Sequence, residues 1–387
     1  MDLTFCSDQI AFRAEVRAWM DAHVPAKPLE TLEVRAGYDQ HVEGERELAS
    51  GRWGTVTWSP QYGGRGVDLI RWLIFEEEYY RAGAPARANQ NGIFLLGPTI
   101  MEFGTDEQKE RFLVPMAKGE AIWAQAWSEP DAGSDMAAIR TRAVRDGDDY
   151  IISGQKTWSS RAAYADWCFG LFRTEPGSTR HRGLSFILVA LDAPGVTVRP
   201  IRQLHGETGF AELFFDEVRV PAANRIAQEG QGWDVAMATA GFERGLMLRS
   251  PARFQVAAKR LVELYRCRAE HAGPDARAAV IQAWEDAEAY ALNTYWVASK
   301  AMSGIKIGAE SSLNKIFWSE LDRAMHRAAM SLLGAEAELR RFADEEVNSW
   351  LEGYIFSLAG PIYAGTNEIQ RNIVAERLLG LPRQGAA

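Results

Sequence analysis

Two stretches of this chain hold the residue types best suited to gripping a ligand. Residues 127–135 read WSEPDAGSD, a rigid Glu-Pro step followed by small residues that carry two hydroxyls, Ser128 and Ser134. Such a backbone can approach a ligand closely. Residues 153–160 read SGQKTWSS and set Trp158 beside Ser159 and Ser160. Two hydroxyl-rich loops with an indole between them could hold a flat aromatic heterocycle, by stacking and by hydrogen bonds to its ring edge. The same residue types also make ordinary turns, and a tryptophan also fills a core, so both readings stay open at this level.

The elements that must position these stretches follow from periodicity. Ile10, Phe12, Val16, Trp19 and Met20 recur at helical spacing from Ser7 to about His23. Residues 24–60 show prolines, charges and little period, which predicts a long connection or short irregular helices. Helical patterns resume over 68–81, and Thr105, Asp106 and Glu107 predict the cap and first turn of another helix ending near Ala117. From about 120 to 220, short runs rich in β-branched and aromatic residues alternate with turn signals, and Asp146-Gly147 marks a hairpin. Beyond Gly232 the pattern is helical again. The expected organisation is therefore an N-terminal helical domain (1–120), a central β domain (121–230) and a C-terminal helical domain (231–387).

With 387 residues, 47% hydrophobic and 25% charged, the chain reads as an ordinary globular protein with a sizeable core. A net charge of −9 argues against nucleic acid as its main partner. No apolar run is long enough for a membrane span, and the start, with Asp2 and Asp8, lacks the basic region of a signal peptide, so a cytoplasmic location is expected. Cys6, Cys168 and Cys267 are scattered and odd in number, and the six histidines show no ligand spacing, so no disulfide framework and no catalytic metal is expected.

The pair of stretches at 127–135 and 153–160 resembles the two flavin-facing segments of the acyl-CoA dehydrogenase family. Three further matches follow in order: PQYGGRG at 60–66, FFDEVRVPAANRIAQEGQGW at 214–233, and AGTNEIQRNIVAERLLGLPR at 364–383. The resemblance implies an α+β fold with an N-terminal helical domain, a central β-barrel-like domain and a C-terminal four-helix bundle. It implies FAD as cofactor, with Trp158 packed on the flavin ring and Ser160 near its N5 and O4. Trp127 and Ser128 would meet the pyrimidine side, Ser134 would lie near the coenzyme A portion of the substrate, and Thr366 and Glu368 would bind the adenylate part from a neighbouring subunit. The implied reaction is α,β-dehydrogenation of an acyl-CoA or acyl-carrier thioester, with β-hydride transfer to flavin N5 and electrons passed to an electron-transfer flavoprotein or similar acceptor. No GxGxxG follows a strand, so the cofactor would not be held in a Rossmann fold.

Many members of the family carry the catalytic glutamate just before the Gly-Thr of the C-terminal signature, where this chain has Ala364. A smaller set, of isovaleryl- and long-chain type, carries it in a Glu-Arg pair on a bundle helix, and Glu243-Arg244 matches that pair, with Arg244 on the substrate side. Thr239, Ala240, Leu246 and Met247 flank Glu243 at helical spacing, so its face is apolar and a carboxylate there would be raised toward the range of a useful base. Residues 249–260 lack the family's phenylalanine-glycine pair, and Ser331 stands ahead of Gly334 where glutamine is usual. A homotetramer is the first expectation and a heterotetramer with a related chain the second. Two other readings keep the fold: a non-catalytic scaffold subunit and a flavin monooxygenase. Arg180, His181, Arg182, Arg249 and Arg253 are expected mainly as solvated charges, with coenzyme A phosphate contacts as the alternative.

Overall fold

The computed structural model describes residues 4–244, 250–305, 307–338 and 345–382, without the side chains of residues 243, 244, 271 and 345–347. Its packing divides the chain into two units: Met1–Ala22 with Asp68–Ala84 and Arg244–Ala387, and His23–Val67 with Pro85–Glu243.

The first unit is helical. Helix α1 (Ser7–His23) buries Phe12, Val16 and Met20, spaced by four so that they form one stripe. Helix α3 (Leu69–Arg81) starts at Asp68, whose carboxylate accepts from the Arg71 backbone N–H. Glu77 and Glu78 of α3 take Arg13 from α1, and Glu78 takes Arg17 as well. Helices α7 (Pro251–Arg268), α8 (Ala276–Met302) and α9 (Ser311–Leu333) pack around Phe254, Leu261, Tyr290, Trp318 and Met325. Pro251 begins a new helix, capped by Ser250, whose hydroxyl accepts from the Ala252 N–H. Helices α10 (Glu345–Ser357) and α11 (Asn367–Ile373) complete the unit.

The second unit is built on an eight-stranded sheet. The strands are β1 (Trp123–Ala126), β2 (Arg142–Asp146), β3 (Asp149–Ser160), β4 (Trp167–Arg173), β5 (Leu184–Ala190), β6 (Val196–Ile201), β7 (Phe210–Pro221) and β8 (Arg225–Ile226), in the order β6-β7-β3-β2-β4-β5-β8, with β1 parallel to β4. The hairpin expected at Asp146-Gly147 joins β2 to β3, with Asp146 opposite Asp149 and Gly147 at φ +59°. Helices α2 (Arg35–Ser50), α4 (Gly97–Phe103), α5 (Asp106–Ala117) and α6 (Gly232–Arg244) belong to this unit. Thr105 and Gln108 form a capping box at the start of α5.

Two expectations are corrected. Residues 24–60 contain the 16-residue helix α2, whose buried face includes the polar His41 and Glu45. Glu45 is buried because it meets Arg87 at 2.7 Å, and polar residues on the inner face hid the apolar period. Residues 153–160 are not a separate loop. They are the second half of the 12-residue strand β3, bent by register shifts between Ile152 and Gly154 and between Lys156 and Ser159. Gly154 permits the first shift: its φ is +145°, and a Cβ there would fall 2.7 Å from the Thr141 side chain.

Candidate cofactor and substrate site

Strand β1 delivers Trp127 to the first stretch, where its ring meets Phe169 edge-on at 6.4 Å. Trp127 is 9% exposed, and its indole N–H is buried without a hydrogen-bond partner. Beyond it the chain is pinned by Glu129. Its backbone N–H and carbonyl exchange hydrogen bonds with Ala132, and its carboxylate accepts from the Arg140 and Thr141 N–H groups at 2.6 and 2.9 Å. Ser128 is half-buried and Ser134 exposed. Asp135, beside Ser134, holds Arg180 through two contacts of 3.0 and 3.1 Å. The neighbouring His181 ring lies 4.3 Å from that of Trp233 at the start of α6. Arg180 is thus a solvent-exposed charge that also pairs with a carboxylate.

The register shift in β3 leaves Trp158 at φ +58° and 59% exposed, with its ring edge-on to Phe210 at 6.1 Å. A left-handed backbone at a large aromatic residue is strained and must be held by its surroundings. The two stretches are joined directly. The Thr157 N–H donates to the Ser128 carbonyl at 2.8 Å, and the fully buried Lys156 ammonium meets Glu129 at 2.9 Å. Burial works to raise the Glu129 carboxyl, but Lys156 and the N–H donors outweigh it and hold the group below the ordinary carboxylate range. Burial draws Lys156 down from its ordinary value against the pull of Glu129. The nearby Cys168 thiol is pushed up to about 12 by burial, which makes it inert.

These features fit a flat aromatic cofactor: an exposed indole face at Trp158 and an unpartnered donor on Trp127. Ser160, the hydroxyl singled out in the sequence, is half-buried, and its carbonyl accepts from Asn91 at 3.4 Å. Lys156 and Glu129 were missed in the sequence. No local signal marked them, since Lys156 stands between the polar Gln155 and Thr157 and its partner comes from another stretch.

Helix α6 carries Glu243 and Arg244 in its last turn, and the side chains of both lie outside the described residues, as do Leu246 and Met247. Thr239 and Ala240, one turn earlier, are buried, and Thr239 pairs with Thr99 of α4 at 2.8 Å. In the helical unit, Thr366 caps α11 by accepting from the Ile369 N–H at 3.2 Å, while Glu368 is exposed. The loop before it is fixed by Gln370, which donates to the Ala364 and Gly365 carbonyls. The buried Lys315 and Ser319 both donate to Asn367. Arg253 is not a free surface charge: burial tends to lower its pKa, but Asp322, 3.3 Å away, raises it. Arg249 lies outside the described residues.

Among the described residues one group has metal-ligand character, Glu33 with His205 and Glu207. Its carboxylates are engaged by Gln203, His205 and Thr31. No helix among the described residues is long and apolar enough to cross a membrane.

In sequence, helical segments precede and follow a sheet that presents the exposed Trp158 indole. Family models for the acyl-CoA dehydrogenase N-terminal, middle and C-terminal domains match residues 7–120, 124–218 and 230–379. The acyl-CoA dehydrogenase IpdE1 of Mycobacterium tuberculosis is 39% identical over 386 residues, covering 96% of this chain and 98% of its own. Among solved structures, the Tcur3481-Tcur3483 steroid ACAD superposes with a TM-score of 0.87 at 28% identity, over 99% of this chain and 100% of that one. The ChsE4-ChsE5 complex of Mycobacterium tuberculosis gives 0.83 at 31% identity, with the same coverage. The chain belongs to the acyl-CoA dehydrogenase family, whose members are FAD-dependent oxidoreductases.

Proposed function

We propose that this protein dehydrogenates an acyl-CoA thioester between its α and β carbons, with Glu243 as the base that removes the α-proton. The observation that carries the reading is the strained, exposed Trp158, whose neighbours Lys156 and Thr157 are tied to residues 127–129, a platform that an ordinary strand has no reason to maintain. When bound, FAD supplies the two-electron acceptor. Trp158 stacks on its ring system, Trp127, Ser128 and Ser160 serve the ring edge, and Thr366 and Glu368 of a neighbouring subunit serve the adenylate part. Ser134 serves the coenzyme A portion of the substrate, and Arg244 is assigned to substrate binding. Alanine at 364 has no proton-accepting atom, which leaves the task to a carboxylate elsewhere, and Glu243 follows two buried positions of α6.

For the acyl group we favour a steroid-derived acid, on the support of the steroid ACAD likeness. The three segments 1–120, 121–230 and 231–387 are taken as the functional organisation, and an electron-transfer flavoprotein in the cytoplasm as the acceptor. The functional particle is a homotetramer or a heterotetramer, and the ChsE4-ChsE5 likeness favours the second.

The test is anaerobic flavin bleaching with straight-chain, branched and steroid-derived thioesters. Wild type should be reduced by at least one steroid-derived substrate. Glu243→Gln should retain FAD and bind the same thioester but reduce its flavin about 10²–10⁴-fold more slowly, the worth of a positioned base. Bleaching of that variant at the wild-type rate removes Glu243 from the role.

A further inference from the structure

We propose that the buried Lys156–Glu129 ion pair is the positioning device of the cofactor platform, holding the strand shift that keeps the Trp158 indole on the outer side of the sheet. This rests on the flavin reading above and deepens it, because neither residue touches the proposed ligand.

The Lys156 ammonium has three N–H donors and three acceptors around it: Glu129 Oε1 at 2.9 Å, the Trp127 carbonyl at 3.2 Å and the Leu171 carbonyl at 2.7 Å. Two of these lie in the first stretch and one on β4. The next residue, Thr157, donates its N–H to the Ser128 carbonyl at 2.8 Å. Residues 127, 128 and 129 are therefore each fastened to residue 156 or 157. Glu129 is anchored in turn by the Arg140 and Thr141 N–H groups, so the clamp is fixed at both ends.

Alternation along a regular strand would put residues 156 and 158 on the same side. Here Lys156 is fully buried, Trp158 is 59% exposed and Ser159 is fully buried. The extra residue between the paired positions 156 and 159 reverses the alternation. Were Trp158 to relax from φ +58° to extended backbone, the shift would be lost, the indole would turn inward and Ser159 outward. The clamp lies immediately before the strained residue, where it opposes that relaxation. An aliphatic side chain at 156 would fill the space but release all three acceptors.

The test uses the full chain with and without FAD, in wild type, Lys156→Met, Glu129→Gln and, as a control for plain destabilisation, Val189→Ala. Trp158 emission is isolated as the difference between each protein and its Trp158→Phe partner, and its acrylamide quenching is measured in the apoprotein. FAD affinity is measured by flavin fluorescence at a temperature where far-UV circular dichroism shows each variant folded. We expect Trp158 quenching to fall about twofold or more and FAD affinity to fall about tenfold or more in Lys156→Met, with smaller shifts in the same direction in Glu129→Gln. Val189→Ala should lower the melting temperature and leave both readouts alone. The inference is overturned if folded Lys156→Met keeps wild-type quenching and affinity, or, where that variant does not fold, if folded Glu129→Gln does. Wild type that binds no FAD would end the flavin reading by itself, and Trp158 quenching would still decide the clamp.

Discussion

Trp158 and Ala364 are both non-glycine residues in the left-handed region, at φ +58° and +56°, and they differ in what their side chains offer. The indole at 158 presents a large flat face; the methyl at 364 presents almost nothing. Left-handed backbone costs an alanine about 1–2 kcal/mol, and glycine surrenders about 0.5–1 kcal/mol of that gain through the greater freedom of its unfolded chain. Ala364→Gly should therefore raise stability by about 0.5 kcal/mol, read as a higher urea midpoint. A loss of more than about 1 kcal/mol would mean that the methyl fills space the loop depends on. The base assignment, by contrast, could be reached only from motif context, since an alanine at 364 says where the base is absent and not where it is.

Among elements, the junction of α1 with α3 is rich in charge pairs. The Glu78 side chain is 2% exposed and is ringed by Arg13, Arg17 and Arg81 at 3.1, 2.8 and 2.6 Å. Burial alone would raise its carboxyl, yet hydrogen bonds from Arg17, Arg81 and Arg13 prevail and hold it at about 2, against an ordinary 4.5. A carboxyl depressed in the folded state stabilises fully above its unfolded pKa and loses that contribution as pH falls toward the folded one. The window is therefore pH 4.5 down to about 2. Urea midpoints of wild type and Glu78→Gln should differ most at pH 5 to 7 and converge toward the lower end of that window. A gap that does not change with pH would refute the assignment. The short 24–60 region shows the limit of periodicity at this scale, since α2 is invisible to an apolar pattern when a Glu45–Arg87 pair occupies its inner face.

For the whole molecule, α8 turns four large apolar side chains outward: Ile281, Trp284, Leu292 and Trp296 lie on one side of the helix, interleaved with Glu285 and Glu288, and are 41–46% exposed. If the oligomer proposed above forms, these side chains are candidates for the surface that a second copy or a related chain would cover. Trp284→Glu combined with Trp296→Glu should lower the mass seen by light scattering by at least a factor of two while the far-UV circular dichroism stays native. A wild-type protein that is already monomeric and active would refute both the face and the oligomer.

The sequence by itself settled the family, the helix–sheet–helix order and the hairpin at Asp146-Gly147, because motifs, glycine turns, caps and hydrophobic period are local and leave their mark within a few residues. It also carried the absence of a glutamate at 364. Only the tertiary structure decided that residues 153–160 continue a strand, that Trp158 faces outward while Ser159 faces in, and that Lys156 and Glu129 tie two stretches 27 positions apart. A register shift depends on what the neighbouring strands offer, and a buried ion pair depends on a partner brought in from elsewhere in the chain, so neither is written in the residues on either side.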